Sequence, residues 1–434
     1  MTPQVARFER IRERLRLPLI AAPMFRVSGV DLVVAACTNG AIGAFPTANC
    51  RTPEELAQWL GAIRGRVRAY EDATGTAAAA FCPNLIVHAS NKRLADDLAV
   101  VLAHAPEIVI TSVGSPAGVV RPLHEAGAFV LADVATIRHA ERALAAGADG
   151  LVLLTAGAGG QTGWLNPFAF VRAVRRFFAG PIVLAGGISD GHALHAAVAL
   201  TCDFAYMGTR FIATHESLAP AAYKETGRRV GRRRDAHRAF TGLQTTMLRP
   251  SIIAAGLDPD TLPERGTIDV AKDINLETQS EPPRRWRDIW SAGHSTSGVR
   301  EILSVAALIA QTEREYRAAT SAPALRRSSA GGRSGPRYLL FAGCSDGETV
   351  HNAFSTATSG SDQQLSCTTI PRRTVSISSL RTHPAPRLAR LRTDWLIDFD
   401  VEGNVVGLDI DRASHKLELS KVETIALPPA TAAE

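Results

Sequence analysis

Short apolar runs alternate with helical stretches through the first half of the chain, and this alternation restricts the fold more than any other feature. Each run is continuous in apolar residues, which is typical of strands buried on both faces of a parallel sheet. The eight runs are Leu19–Ala22, Ala41–Ala44, Ala78–Phe81, Ile108–Thr111, Phe129–Ala132, Leu151–Leu154, Ile182–Leu184 and Phe204–Met207. Eight strands with helices between them predict an α/β fold, a compact (β/α)8 TIM barrel.

The segments between the runs carry the periodicity and the end signals of helices. Thr52-Pro53-Glu54-Glu55 predicts a helix start with Thr52 as N-cap, and Gly127 and Gly147 stand where helix C-caps are expected. Apolar residues recur at three- and four-residue spacing in 91–104, 116–126, 136–147, 167–178 and 190–200. A doubly wound open sheet is the main alternative, and the glycine positions described below favour the barrel.

The rest of the chain predicts three further parts. A barrel domain of residues 15–317 would include an added helical section at 213–317. Its predicted helical pieces are Ala239–Gly256, Trp286–Asp288 and Val299–Tyr316. From 318 to 393 Ser, Thr, Arg, Gly and Pro dominate, which predicts a poorly ordered linker. A small β-rich element is predicted at 394–429, because two β-rich runs flank the hairpin signal Glu402-Gly403-Asn404.

Composition narrows the class of protein. Hydrophobic residues make up 46% and charged residues 21%, and no apolar run reaches the ~20 residues that span a bilayer. The N-terminal stretch lacks the apolar core of a secretory signal, and the six cysteines form no zinc or CxxC pattern. We therefore expect a cytoplasmic protein with reduced thiols, no metal and no membrane segment. Six arginines lie between Arg228 and Arg238, but without interleaved aromatic residues they do not predict nucleic-acid binding.

Candidate binding residues follow the predicted strands. In a (β/α)8 barrel, ligands bind at the carboxyl ends of the strands, so the residues after each run form the candidate site. Those after the first, third, fifth and sixth runs are Ala22, Pro23, Met24, Asn84, Asp133, Gly159 and Gly160. Asp133 also has a purely structural interpretation.

The residues after the seventh and eighth runs predict a phosphate site. Gly186-Gly187 precedes a helix that begins near Asp190, so backbone N–H groups can approach an anion while the helix adds its positive end. Gly208-Thr209 supplies a further N–H group and a hydroxyl. Because phosphate sites in these barrels usually follow strands seven and eight, the two motifs together favour an anion site over simple tight turns.

Together these residues resemble the nitronate monooxygenases, also called 2-nitropropane dioxygenases. The matching motifs are Ala22-Pro23-Met24, Asn84, AGAGGQTG at 156–163, AGGI at 185–188 and MGTRF at 207–211. Similarity continues in 240–263 and 286–298. The resemblance implies an FMN-dependent enzyme that oxidises alkyl nitronates with O2 to a carbonyl compound and nitrite.

The resemblance also implies where FMN would bind. Its phosphate would be held by Gly186, Gly187, Gly208 and Thr209. Its ring would pack near Pro23 and Met24, and Asn84 would reach a polar edge of the ring.

The chain departs from the family pattern after the sixth run. The family usually has AGGH there, with the His as base or anion partner, and Gln161 takes that position here. Glutamine cannot accept a proton near neutral pH but can donate a hydrogen bond to a nitronate oxygen. We therefore expect nitronates to be better substrates than neutral nitroalkanes. His294, in the segment GHSTSG, is a further catalytic candidate.

Other functions remain open at this point. One is an NAD(P)H-dependent flavin or enoyl reductase of the same barrel type, although no GxGxxG fingerprint follows a strand. Another is a flavin-binding protein without turnover, suggested by Gln161 and the arginine run. A phosphate-binding barrel acting on a sugar or nucleotide phosphate would want paired acidic and lysine residues at the strand ends, which are missing.

Two features of the chain remain unassigned. The pattern DFD…GNVVGLDI near the C-terminus resembles a small β-rich domain of unknown function. The oligomeric state is left open, and a homo-oligomer is compatible with the sequence.

Overall fold

The computed structural model describes residues 3–229, 234–237, 239, 242–269 and 288–321, together with four short strands between 377 and 410. The chain divides into two compact units, Met1–Ala330 and Gly331–Glu434.

Eight parallel strands of the first unit close into a barrel, as the alternation of apolar runs predicts. In order around the barrel they are β1 Leu19–Ala21, β2 Ile42–Pro46, β3 Phe81–Ile86, β4 Ile108–Ser112, β5 Phe129–Val134, β6 Gly150–Leu154, β8 Ile182–Ala185 and β9 Phe204–Met207. The barrel closes between β1 and β9, where Ile20 lies opposite Tyr206. A two-residue strand outside the barrel, β7 Gly160–Gln161, follows β6 in the chain.

Helices cover the barrel and close its amino end. They are α1 Pro3–Glu13, α2 Val30–Thr38, α3 Pro53–Thr74, α4 Leu94–His104, α5 Val120–Glu125, α6 Ile137–Ala145, α7 Pro167–Val174, α8 Gly191–Ala199 and α9 Thr209–Ile212. The Thr52 side chain accepts a hydrogen bond from the backbone of Glu55, which confirms the predicted N-cap of α3. Gly127 and Gly147 have left-handed φ angles of +87° and +95° directly after α5 and α6, as a C-terminal cap requires. Within the described residues, no helix combines the length and apolar character needed to cross a membrane.

Side chains of the strands alternate between the barrel interior and the layer beneath the helices. On β5, Phe129 and Leu131 belong to the interior cluster, whereas Val130 packs in an outer cluster. Phe8 of α1 stacks on Phe129 with ring centroids 5.5 Å apart, so α1 seals the amino end. The same alternation gives Asp133 the next inward position of β5, toward the carboxyl end.

Two candidate residues lie within strands instead of after them. The strand predicted over Ala78–Phe81 runs from Phe81 to Ile86, so Asn84 is part of β3. Pro83 does not end this strand; it lies opposite Phe45 of β2 and removes one backbone donor from the ladder. Asp133 is likewise inside β5. The apolar pattern stops early because polar side chains occupy inward positions near the carboxyl ends of these strands, where they line a cavity.

The added section contains strands as well as helices. Its elements are α10 Ala221–Arg229, β10 Arg234–His237, β11 Thr245–Leu248, α11 Arg249–Ala254, a 3₁₀ turn His294–Gly298 and α12 Val305–Ser321. The predicted helix over Ala239–Gly256 is wrong for Thr245–Leu248, which pairs antiparallel with β10 and β7. The β-branched pair Thr245-Thr246 suits this strand pairing, which outweighs the helical spacing. Of Trp286–Asp288, only the last residue is described, and the helix predicted from Val299 begins at Val305.

The second unit contains a four-stranded antiparallel sheet. Its strands are β12 Ile377–Ser378, β13 Arg387–Arg392, β14 Trp395–Phe399 and β15 Val405–Ile410, in the order β12-β15-β14-β13. The antiparallel pairing of β14 with β15 confirms the predicted hairpin. Strands β12 and β13 fall within 318–393, the range predicted as a linker. Most of that range, and the end of the predicted element at 429, lie outside the described residues.

Candidate active site

A cavity of about 240 Å³ lies at the carboxyl ends of the barrel strands. The structure brings together there twelve of the thirteen predicted site residues: Ala22, Pro23, Met24, Asn84, Asp133, Gly159, Gly160, Gln161, Gly186, Gly187, Gly208 and Thr209. The added section contributes a wall that the strand-end analysis missed, formed by Tyr223, Leu243, Ile268, Ser291, Ala292 and Ser295. The cavity is therefore built jointly by the barrel and by residues well beyond it in the chain.

His294 is the predicted residue that does not line this cavity. Its side chain is exposed, and its backbone N–H donates to the carbonyl oxygen of Gly157 at 2.8 Å. Its ring packs against the same glycine, where an added Cβ would lie 3.0 Å from the ring Cγ. His294 thus supports the loop after β6 from outside.

The turn after β1 is fixed by one buried hydroxyl. Ser28 Oγ accepts from the backbone N–H of Met24 at 3.0 Å and donates to the carbonyl of Ala22 at 3.1 Å. Pro23 stiffens the same turn by fixing its own φ. The Pro23 and Met24 side chains therefore form a preformed apolar face of the cavity.

The backbone after β8 and β9 leaves room for a ligand. Gly186 and Gly187 have left-handed φ angles of +123° and +78°, and a Cβ on Gly187 would meet no atom within 4 Å. At Gly208 the nearest heavy atom to an added Cβ would be Met24 Sδ, at 3.5 Å. Gly187 and Gly208 form a cradle in which the backbone itself can contact an anionic group. At Gly186 an added Cβ would clash with Thr155 Oγ1, so this glycine serves close packing of the backbone.

The amino end of α8 is already paired with carboxylates. Asp190 accepts from the N–H of Ala193 at 2.8 Å, and Glu315 of α12 accepts from the N–H of Gly191 at 2.9 Å. The helix end that we expected to assist a phosphate site is therefore occupied by protein groups. Of the groups predicted to bind an anion, the glycine backbone and Thr209 remain as candidates.

Gln161 is held by the added section. Strand β7 pairs with β11, with Gln161 opposite Thr245 and Gly160 opposite Thr246. Two glycine segments also meet here, since an added Cβ on Gly159 would lie 2.5 Å from the backbone nitrogen of Gly293. Gly159 therefore lines the cavity and also allows its own backbone to lie close to that of Gly293. The sequence analysis found the glycines but not the strand that fixes them.

Polar side chains near the strand ends have defined partners. Ser112 Oγ donates to Asn84 Oδ1 at 3.2 Å, and Asn84 Nδ2 donates to the carbonyl of Ile110 at 3.4 Å. Thr209 Oγ1 accepts from the N–H of Gly293 at 3.0 Å. A hydroxyl that accepts one hydrogen bond still has its own proton to donate, so Thr209 can also serve an anion.

Two buried polar atoms in the cavity floor have no partner among the described residues: Asp133 Oδ1 and the Tyr206 hydroxyl. Burial raises the pKa of Asp133 to about 8, so its carboxyl is mostly protonated at neutral pH. Burial, and then the nearby Asp133 and Cys82, raise the pKa of Tyr206. The sequence analysis missed Tyr206. Its position could have been predicted, because side chains alternate along β9 and Phe204, two residues earlier, points into the barrel.

No lysine, arginine or histidine lines the described part of the cavity. Arg210, the nearest arginine in sequence to the cradle, is buried and donates to the carbonyl of Gly298 at 2.8 Å. The ionisable side chains of the described lining are Asp133, Tyr206 and Tyr223. Within the described lining, the groups available to an anionic ligand are backbone N–H groups and neutral side-chain donors.

The comparison with known proteins agrees with this geometry. The nitronate monooxygenase family model matches residues 11–313. The chain belongs to this family. As a nitronate monooxygenase family member it is an oxidoreductase, and it is 28% identical over 349 residues to the nitronate monooxygenase of Paraburkholderia phytofirmans, covering 69% of this chain and 92% of that protein.

Two further proteins are similar to this chain. The chain is 28% identical over 210 residues to a 5-hydroxy-7a-methyl-1-oxo-octahydro-1H-indene-4-carboxyl-CoA dehydrogenase of Mycobacterium tuberculosis, covering 48% of this chain and 56% of that protein. The solved nitroalkane oxidase from Streptomyces ansochromogenes has a TM-score of 0.58 at 23% identity and covers 71% of this chain and 99% of its own. This structural likeness shows a shared fold.

Proposed function

We propose that this protein oxidises alkyl nitronates with O2, giving a carbonyl compound and nitrite, with FMN bound in the cavity. The observation that carries the proposal is the backbone cradle at Gly187 and Gly208, after the strands where such barrels hold a phosphate. The open space beside Gly187 fits a phosphate, and the apolar turn at Pro23 and Met24 fits a ring. Family membership supports the same cofactor.

Different residues of the cavity would hold the phosphate and the ring of FMN. Gly186, Gly187, Gly208 and Thr209 would hold the phosphate, and Asn84 would face a polar edge of the ring. FMN would supply the electron acceptor, and the protein would orient the substrate and control charge.

Gln161 would orient the substrate through its amide N–H. A nitronate is already deprotonated and needs no base, whereas a neutral nitroalkane does. The glutamine therefore favours nitronates as substrates, and the apolar walls exclude water from the reacting atoms.

A second candidate is dehydrogenation of an acyl-CoA thioester, as the name of the Mycobacterium tuberculosis relative describes for that protein. The described lining offers no cation to an anionic nitronate. A thioester carbonyl is neutral and needs only hydrogen-bond donors. The two candidate functions therefore differ in substrate, a nitronate or an acyl-CoA thioester, and share the proposed FMN site.

The test is the absorption spectrum of the purified protein, followed by anaerobic addition of propyl-2-nitronate. Flavin bands near ~450 nm that bleach on addition would support nitronate oxidation. Bleaching by an acyl-CoA alone would favour the second candidate, and bleaching by NADPH alone would favour a reductase. Bands that propyl-2-nitronate, acyl-CoA and NADPH all fail to bleach would indicate a flavin-binding protein without turnover. Absence of flavin bands after reconstitution with FMN would contradict the proposal.

The cytoplasmic location is part of the same proposal. The four described cysteines, Cys37, Cys50, Cys82 and Cys202, are all buried free thiols. Free thiols are what a reducing compartment maintains.

A further inference from the structure

The acid–base groups of the cavity are concentrated in its floor. Asp133 and Tyr206 occupy inward positions of β5 and β9, and both line the cavity. The hydroxyl of Tyr206 and one carboxyl oxygen of Asp133 lack a hydrogen-bond partner among the described residues. Buried polar atoms are normally paired, so these two atoms are exceptions. Asp133 as a whole is only partly buried and lines the cavity, where a ligand can reach its carboxyl group.

We propose that Asp133 is the acid–base residue of this site. When protonated it donates a hydrogen bond to an anionic substrate, and when ionised it accepts the α-proton of a neutral substrate. This inference rests on the proposed function and assigns the role that Gln161 cannot perform.

The surroundings of Asp133 favour its neutral form. Tyr206 on β9 and Cys82 on β3 are the titratable groups that interact with it, and neither carries a positive charge. The neighbouring strands contribute Ser112, which is uncharged, and Leu154, which is apolar. Because no basic side chain of the described lining stabilises the carboxylate, the group stays protonated to a higher pH than an exposed aspartate.

The proposed proton transfer needs only the substrate and Asp133. In a neutral nitroalkane, the Asp133 carboxylate takes the hydrogen from the carbon next to the nitro group and forms a new O–H bond. The electron pair of the broken C–H bond moves onto the nitro group, which gives the nitronate anion. Nothing is oxidised in this step, and the neutral carboxyl can then donate to a nitronate oxygen.

Opposite pH profiles follow for the two substrate forms. With freshly diluted ethyl nitronate, kcat/KM should be constant at low pH and fall about tenfold per pH unit above the pKa of Asp133. With nitroethane, initial rates should rise about tenfold per unit below that pKa and level off above it. Both profiles should bend at the same pH, near 8.

Asp133→Asn separates the two roles, because the amide can donate but cannot titrate. We expect nitronate oxidation to become independent of pH, because the carboxyl group that titrates is gone. Nitroethane oxidation should fall at least ~100-fold, the usual effect of losing a general base. Asp149→Asn is the matched control: burial raises the pKa of this carboxyl too, but it lies at the amino end of β6, where it accepts from His124. This variant should keep both profiles.

A measurement without turnover completes the test. In full-length protein labelled with ¹³C at the aspartate side chains, with and without FMN, one carboxyl resonance should titrate near pH 8 and be missing in Asp133→Asn. If that resonance titrates at an ordinary carboxyl pKa while nitronate is still oxidised, the role of Asp133 is wrong. If it titrates near pH 8 but neither substrate is oxidised, the proposed function is wrong instead. Parallel pH profiles for the two substrates would also overturn the inference, even if Asp133→Asn does not fold.

Discussion

Gly187 is the residue whose backbone conformation bears most directly on the proposed phosphate site. Its φ of +78° is costly for a residue with a side chain, and its Cβ would project into open space beside the cavity lining. We expect Gly187→Ala to weaken FMN binding about tenfold or more, a loss of ~1.4 kcal/mol, because the methyl group occupies the space of the phosphate. Quenching of FMN fluorescence on titration with apoprotein measures this affinity.

Gly256 provides the matched control for this substitution. Its φ of +77° is nearly the same, an added Cβ would also meet no atom within 4 Å, and it lies in an exposed turn after α11. Gly256→Ala should therefore cost about 1 kcal/mol of stability from backbone strain and leave FMN affinity unchanged. Equal losses of affinity in the two variants would show that strain, not the cradle, sets FMN binding.

Asp133 also makes stability depend on pH. Burial raises its pKa from an ordinary 3.8 to about 8, so between these values the folded state holds a proton that the unfolded state has lost. This contribution to the unfolding free energy is greatest at low pH and is lost as pH rises to about 8. We expect Asp133→Asn to gain stability relative to wild type from pH 5 to pH 9, measured by urea denaturation. A difference between the two proteins that does not change with pH would contradict the shifted pKa.

At the scale of elements, the contact between the loop after β6 and the segment before the 3₁₀ turn fixes the cavity. A Cβ on Gly293 would lie 2.5 Å from the carbonyl oxygen of Gly157 and 2.7 Å from the backbone nitrogen of Gly159. Gly293→Ala should therefore displace this loop, reduce stability by about 2 kcal/mol and lower FMN affinity. Thermal unfolding and FMN titration measure the two effects.

Gly266→Ala is the control for this prediction, since an added Cβ there would meet no atom within 4 Å. It should leave both stability and FMN affinity close to wild type. If Gly293→Ala behaves in the same way, the backbone contact does not support the site.

The sequence predicts most barrel strands because a doubly buried strand is apolar throughout. Asn84 and Asp133 were predicted to follow their strands for the same reason, since a polar inward residue ends the apolar run although the strand continues. Strand β7 was beyond prediction: Gly160–Gln161 is too short to show a pattern and exists through its pairing with Thr245 and Thr246. The cradle glycines were found from the chain alone, whereas the wall at Ser291 and Ala292 depends on distant packing.

At the scale of the whole molecule, the first unit contains every described residue of the cavity lining. The lining extends from Ala22 to Ser295, and the unit ends at Ala330. A chain truncated after Ala330 should therefore bind FMN with the affinity of the full-length protein, within about twofold, since no described residue of the cavity lining is removed. Titration of both proteins with FMN tests this, and loss of binding on truncation would assign part of the site to the second unit.

The hydrogen bond from His294 to Gly157 has a consequence for how the protein matures. During synthesis at about 5–20 residues per second, the loop after β6 emerges on the order of 10 s before the segment that clamps it. All eight barrel strands leave the ribosome in that interval, while the cavity still lacks the part of its wall formed by Ser291, Ala292 and Ser295. If FMN binds in this cavity as proposed, its complete binding site forms only after Ser295 has emerged, so the barrel strands can pair before the cofactor binds.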